Sequence, residues 1–129
     1  MTKTASMTIG GGTTDLTPGD VVLVPLPFTD LSDAKLRPAV VVSSTYYNSV
    51  VDDIVVAGLT SQLRRTGDLH YHLADWQAAG LLKPTVVKPI VATIKKDIVR
   101  LVIGRVTERD LVGVQQVLNR VLELDGSAS

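Results

Sequence analysis

A mainly β fold with a single C-terminal helix, its six short strands curled into a small barrel, is what this sequence predicts, and three observations carry that expectation. Hydrophobic residues make up 45% of the 129 positions and aromatics only 4%. Valine is prominent among them, and β-branched side chains suit a pleated, half-buried surface better than a helical bundle. The β-branched runs are short and broken repeatedly by Gly, Pro, Asp and Asn, which is the pattern of strands joined by turns. Only the stretch from Thr107 onward changes to a helical period.

Strands are expected near 20–27, 38–44, 53–60, 69–73, 85–94 and 98–106. Gly19-Asp20 is a turn signal feeding the first apolar run, and Pro25 and Pro27 lack amide donors, so they confine that run to a sheet edge or a bulge with room for a groove beside it. Pro38 biases Arg37 toward extended backbone and pins it at the mouth of the second strand. Thr60-Ser61-Gln62 closes the third. Asp75 is read as the cap of one helical turn over 76–79 that Gly80 ends, and Lys95-Lys96-Asp97 as a hairpin turn. Thr107-Glu108-Arg109-Asp110 has the shape of a helix start, a hydroxyl at the cap and an acid three residues later. Leu111, Val114, Leu118, Val121 and Leu122 then fall on one stripe of a helix running to about residue 123, which packs them against the sheet.

A chain of this length suits one domain with one core. Residues 1–18, rich in Thr, Ser and Gly, read as a flexible N-terminal tail, 19–124 as the single domain and 125–129 as a frayed C-terminus. With no cysteine, neither disulfides nor thiolate metal sites contribute, and an intracellular protein is the simpler reading. No signal-length apolar stretch opens the chain and no run of about eighteen apolar residues occurs, so a soluble protein with no membrane span is expected. The net charge of zero argues against indiscriminate coating of nucleic acid, which draws on many basic contacts. Between Lys35 and Arg105, however, ten Lys or Arg face five Asp, an excess that supports a local basic groove.

The segment GDVVLVPLPFTDLSDAKLRPAVVVSS, with Arg37-Pro38 at a strand mouth, Thr60 at the end of the third strand, a VVKPIVATI strand and a C-terminal helix in this order, resembles the MazF/PemK toxin family over most of residues 18–124. The resemblance implies an SH3-like, MazF/CcdB-like barrel and a metal-independent endoribonuclease that cuts single-stranded RNA with sequence selectivity. It also implies Arg37 and Thr60 as the catalytic pair, no cofactor, 2′,3′-cyclic phosphate and 5′-hydroxyl products, a homodimer, a cognate antitoxin partner and a cytoplasmic location. The chemistry suits those residue types. An arginine presents a permanently charged planar fork to phosphate, and a strand-end hydroxyl adds a donor.

Around that pair, Ser61 and Gln62 are candidates for the scissile phosphate or a neighbouring nucleotide, and Lys35, Arg64, Arg65 and Lys83 for backbone phosphates. Phe28, and Tyr46 or Tyr47, are candidates for base stacking, and Lys88 and Thr93 for the groove wall. Asp30 and Asp33 in the preceding loop depart from the family's usual pattern and leave substrate preference open. Asp68, His70 and His72 alternate along an expected strand and permit a metal reading, although no further ligand lies nearby and none is assigned; either histidine also suits proton transfer if it borders the groove. The alternatives are a non-catalytic CcdB-like toxin acting on DNA gyrase, or a degenerate barrel that only binds a partner. Neither needs Arg37 with Thr60.

Overall fold

The computed structural model describes residues 15–25, 35–64 and 66–124, and within them the valine-rich runs form six strands. These are β1 Asp20–Pro25, β2 Leu36–Val41, β3 Asp53–Thr60, β4 Tyr71–His72, β5 Val86–Lys95 and β6 Leu101–Arg105. Every neighbouring pair is antiparallel, in the order β4-β5-β3-β2-β1-β6. The sheet curls into a half-barrel closed by the C-terminal helix. Phe28, Asp30, Asp33, Arg65 and most of the two terminal segments lie outside the described residues.

The strands are apolar on both faces because both faces are covered, and alternation along each strand sorts its side chains between two cores. On one face Val21, Val40, Ala57, Leu59 and Val87 pack against the helix. On the other, Val22, Val24, Ala39, Val41, Ile54, Val56 and Ile94 pack with Leu16 and Val99. Most of these valines are fully buried, and each such side chain contributes on the order of 1.5 kcal/mol or more. β1 lies between β2 and β6, so Pro25 does not mark an edge strand as the sequence suggests. It ends β1 two residues past the last β6 pair, Leu23↔Leu101, where no ladder donor is needed on that side.

The helix α2, Glu108–Leu122, buries Leu111, Val114 and Leu118 as its spacing predicts, while Val121 is half-buried and Leu122 is 48% exposed. Its start is built differently from the expected capping box. The Thr107 side chain caps nothing and instead donates to Asp75 Oδ2 at 2.6 Å. Asp110 is fully buried and accepts from the Tyr71 hydroxyl (2.8 Å) and from the amides of Ala74 (2.9 Å) and Asp75 (2.8 Å). The Asp75 carboxylate, rather than capping the turn at 76–79, takes two bonds of 2.8 Å from the Nε and Nη2 of Arg109. This knot fastens the connection after β4 to the first turn of α2. Burial, with the Asp110 hydrogen bond second, pushes the Tyr71 hydroxyl up to about 12.

One element was not expected at all. A short helix α1, Thr45–Val50, joins β2 to β3, so the second strand ends at Val41 and Ser44 is a helix cap accepting from the Tyr47 amide at 3.0 Å. Six residues carrying β-branched and aromatic side chains show no helical period. The helix is held instead by Asn48, fully buried, whose amide donates to the carbonyls of Leu16 (2.7 Å) and Ser43 (3.2 Å). The expected hairpin turn at 95–97 is a 3₁₀ turn, Lys96–Ile98, with Lys95 still in β5. β4 is only two residues long because residues 67–70 form a turn, in which the Gly67 amide donates to His70 Nδ1 at 3.1 Å. Asp68, His70 and His72 therefore do not share a strand face, and no group of three or more His, Asp or Glu suited to a metal ion occurs among the described residues.

The Asp75 knot makes stability depend on acid in a defined window. Bonds from Arg109 first, and Thr107 second, hold the Asp75 carboxyl at about 2 against an ordinary 3.8. As pH falls, the unfolded chain takes up this proton before the folded one does, so the contribution is complete above the ordinary value and is lost on the way down to about 2. Urea unfolding of the wild type and of Asp75→Asn at several pH values between 5 and 2 should therefore converge as pH falls. A gap between the two that stays constant over this range would show that Asp75 does not titrate as the hydrogen bonds require.

Candidate functional site

Arg37 is the second residue of β2, where it pairs with Val24 of β1, and Pro38 after it keeps its backbone extended. On its other side the β2–β3 ladder runs Val41↔Val56, Val40↔Ala57, Ala39↔Gly58. Continuing that register two residues past the last pair sets Arg37 against Thr60. Alternation keeps both residues on the face of Ala39 and Gly58, so the arginine and threonine named from the sequence fall at facing positions, two residues beyond the last ladder pair, at one end of the sheet. The Nε of Arg37 is buried and has no hydrogen-bond partner among the described residues. An orphan guanidinium nitrogen of this kind calls for an external acceptor.

Thr60 is oriented by its own turn. Its Oγ1 accepts from the Gln62 amide at 3.0 Å, which occupies a lone pair and leaves the hydroxyl proton free to donate outward.

The third member comes from β5. Between Ala57↔Val91 and Leu59↔Val87, the single residue Gly58 faces three residues of β5, Lys88, Pro89 and Ile90. Pro89 has no donor for the ladder, so the strand bulges where it stands. The bulge lays the Lys88 side chain across Gly58. A β-carbon built on Gly58 would lie 3.1 Å from Lys88 Cε and 3.8 Å from its Nζ, so a larger residue there would push the lysine stem aside. Burial, and after it the nearby charge of Arg37, hold the Lys88 ammonium below its ordinary value. Arg37, Thr60 and Lys88 thus occupy three adjacent strands on one face. Neither cation has a carboxylate partner among the described residues, whereas Lys95, Arg105, Arg109 and Arg120 are each paired with an aspartate. Two half-buried cations with no carboxylate partner among the described residues, beside a hydroxyl, are the chemistry that recognition of an oxyanion requires.

The other sequence candidates divide by position. Ser61, Gln62 and Arg64 follow Thr60 directly and are exposed, and Lys83 is exposed on the turn leading into β5, where Thr85 Oγ1 donates to its carbonyl at 2.8 Å. Lys35 is exposed just before β2. Thr93 is not brought to the cluster: it pairs with Val55, five residues along β3 from Thr60, and points to the opposite face from Ala92 and Ile94. Tyr46 and Tyr47 sit on α1 at the far end of β2 and β3. Sequence reasoning did not place His72. It pairs with Val86, which pairs with Thr60, so His72, Val86, Thr60 and Arg37 form one row across four strands. His72 stands two strand spacings, about 10 Å, from Thr60.

A family model for the PemK-like, MazF-like toxin of type II toxin-antitoxin system matches residues 17–122. Among solved structures the fold is similar to an endoribonuclease from Mycobacterial species, with 23% identity, a TM-score of 0.68, and coverage of 86% of this chain and 94% of that one. It is also similar to an endoribonuclease in complex with its cognate antitoxin from Mycobacterial species, at 24% identity and a TM-score of 0.69 over 84% of this chain and 96% of that one. MazF from Deinococcus radiodurans gives 19% identity and a TM-score of 0.69 over 85% and 98%. No curated protein sequence matches significantly.

An oxyanion receptor should be detectable without any substrate. Inorganic phosphate at millimolar concentration is expected to raise the thermal midpoint of the wild type, by binding the folded state alone. Arg37→Met and Lys88→Met should each lose most of that rise. In phosphate-free buffer Lys88→Met should unfold at the same or a higher temperature, since it removes a half-buried charge that has no carboxylate partner among the described residues. Equal phosphate shifts in all three proteins would mean the anion binds elsewhere.

Proposed function

Because the chain belongs to the PemK-like, MazF-like toxins of type II toxin-antitoxin systems, we propose that it is an endoribonuclease that cuts single-stranded RNA by attack of the RNA's own 2′-hydroxyl. The observation that carries this reading is the register that sets Arg37 against Thr60, together with the orphan Nε of Arg37. In such a reaction the nucleophile belongs to the substrate, so the protein needs no metal-bound water. Its task is to hold the phosphate, to stabilise the charge that builds on its non-bridging oxygens, and to see the 5′-oxygen protonated as it leaves. Arg37 takes the charge with a fixed guanidinium fork, and Thr60 adds one oriented hydroxyl.

Cleavage leaves a 2′,3′-cyclic phosphate and a 5′-hydroxyl, and is metal-independent. Ser61, Gln62, Arg64, Lys83 and Lys35 lie around the same end and contact phosphates or bases on either side of the cut, with phosphate contacts fixing register and base contacts giving sequence selectivity. The chain works in the cytoplasm as a homodimer, a cognate antitoxin keeps it inactive, and an acidic segment of that antitoxin would compete with RNA for the Arg37–Lys88 face. The antitoxin-bound relatives of the same fold support that part of the reading.

A long RNA of mixed sequence, incubated with the purified protein and mapped at its new ends, tests the proposal. Cuts at one short recurring sequence are expected, undiminished by excess EDTA, and blocked when the nucleotide 5′ of the cut carries 2′-deoxyribose although binding persists. Arg37→Ala should abolish cutting, and Thr60→Ala should slow it roughly a hundredfold or more, the effect of losing one oxyanion donor. A folded Arg37→Ala protein cutting at near the wild-type rate would end the assignment. So would undiminished cleavage of the deoxy substrate. Toxicity without RNA cleavage would favour a gyrase-directed or partner-binding barrel.

A further inference from the structure

The 5′-oxygen needs a proton, and Arg37 is poorly suited to give one, because a guanidinium stays protonated throughout the accessible pH range. Thr60 holds its hydroxyl proton as a hydrogen-bond donor, not as an acid. His72 is exposed at the β4 edge and stands two strand spacings from Thr60. Lys35 and Lys83 at this end are exposed, whereas the lysine delivered by the bulge is half-buried. Resting on the ribonuclease reading above, we propose that Lys88 is a catalytic residue, the proton donor to the leaving 5′-oxygen.

Three features of its placement support the role. Its ammonium lies over Gly58, next to Thr60 on the same face of β3 and beside the pair position of Ala39 on β2. A phosphate held between Arg37 and Thr60 therefore has Lys88 on its β5 side. The stem is half-buried and runs over Gly58 opposite the Pro89 bulge, where the absence of a side chain leaves it room. Among the described residues the charged and titratable groups nearest it in register are Arg37 on β2 and His72 on β4, with the exposed Lys35, Arg64 and Lys83 at the same end, and β3 contributes Ile54, Val56, Gly58 and Thr60, none of them ionisable. No carboxylate among the described residues holds the proton on Lys88 in competition with the leaving group. Burial and the Arg37 charge both favour its release, and lysine is the cation whose proton affinity yields to such surroundings.

In the step itself the 2′-oxygen forms a bond to phosphorus while the bond from phosphorus to the 5′-oxygen breaks. The electron pair of that bond takes the Lys88 proton, giving a 5′-hydroxyl and a neutral amine. The 2′-hydroxyl proton passes to solvent, and solvent returns a proton to the amine, so the enzyme and the proton balance are restored.

The test compares two RNAs under single-turnover conditions, identical except that one carries sulfur in place of the 5′-bridging oxygen at the cut. A thiolate leaves without being protonated, so the sulfur substrate bypasses a proton donor but still needs Arg37 and Thr60. Lys88→Met should slow cleavage of ordinary RNA by about a hundredfold to ten-thousandfold, the usual range for a lost general acid, and that of the sulfur substrate by no more than about tenfold. Lys88→Arg, which keeps the charge but does not release its proton, should resemble Lys88→Met. Circular dichroism and urea unfolding establish that both variants are folded. Equal slowing of both substrates would reduce Lys88 to a phosphate contact, and wild-type activity in Lys88→Arg would show that charge alone suffices; either result overturns the proposal and leaves the ribonuclease reading standing. A wild-type protein that cuts neither RNA would instead remove that reading, and this inference with it.

Discussion

The antiparallel register of β2 on β3 decides what this protein can do. Pairing Ala39 with Gly58 fixes Arg37 against Thr60, and a slip of one residue would turn every side chain of β2 to the other face. The register is enforced by burial. Ala39 and Val41 must enter one core, and Val40 must enter the other with the helix. A shift would drive the Arg37 guanidinium toward the helix-side core, where nothing among the described residues neutralises it. The geometry at the polar end of the sheet therefore follows from apolar packing further along the same strands.

The rest of the scaffold keeps that packing in place. Asn48 binds the segment before β1 to the β2–α1 junction. The Lys96 ammonium reaches the Asn48 carbonyl at 2.6 Å and so ties the 3₁₀ turn after β5 to α1. At the other side of the molecule the Asp110, Tyr71, Asp75 and Arg109 knot anchors α2 to the connection after β4. Each buried polar group in these knots is hydrogen-bonded. Arg37 differs, because its buried Nε has no partner among the described residues, and a donor left open in an otherwise satisfied scaffold is a natural place for a ligand's acceptor.

Much of this was legible in the sequence because strand alternation and turn chemistry are local. The six strands, the long helix and the buried positions Leu111, Val114 and Leu118 follow from periodicity. Arg37 and Thr60 stood out by motif, and Pro38 explains the extended backbone at Arg37. Helix α1 was hidden because its stability comes from Asn48 and the Ser44 cap, which are tertiary and capping effects on a segment too short for a period. Thr107 stands at the N-cap position of α2 as its sequence suggests, but nothing local reveals that its side chain and that of Asp75 are reserved for each other across 32 positions and not for capping. Lys88 was visible only as one more basic residue. Its importance rests on a cross-strand event, Pro89 bulging opposite Gly58, although proline and glycine within strand-like runs are themselves a bulge signal.

Charge shows the same division between sum and placement. The chain is neutral overall, yet Asp20, Asp53, Asp68 and Asp75 are spent on Arg105, Lys95, Arg120 and Arg109, all outside the site. Their consequence is electrostatic. They neutralise basic side chains that would otherwise bind phosphate anywhere on the surface, and they leave Arg37 and Lys88 as neighbouring cations without a described counter-charge. Non-specific affinity for nucleic acid grows with the number of phosphates a protein neutralises, so pairing off the distant cations keeps that background low. A ligand that brings its own negative charge to the Arg37, Thr60 and Lys88 face meets two half-buried cations with no carboxylate partner among the described residues, which is the electrostatic ground on which the proposed RNA phosphate and a competing acidic segment would meet.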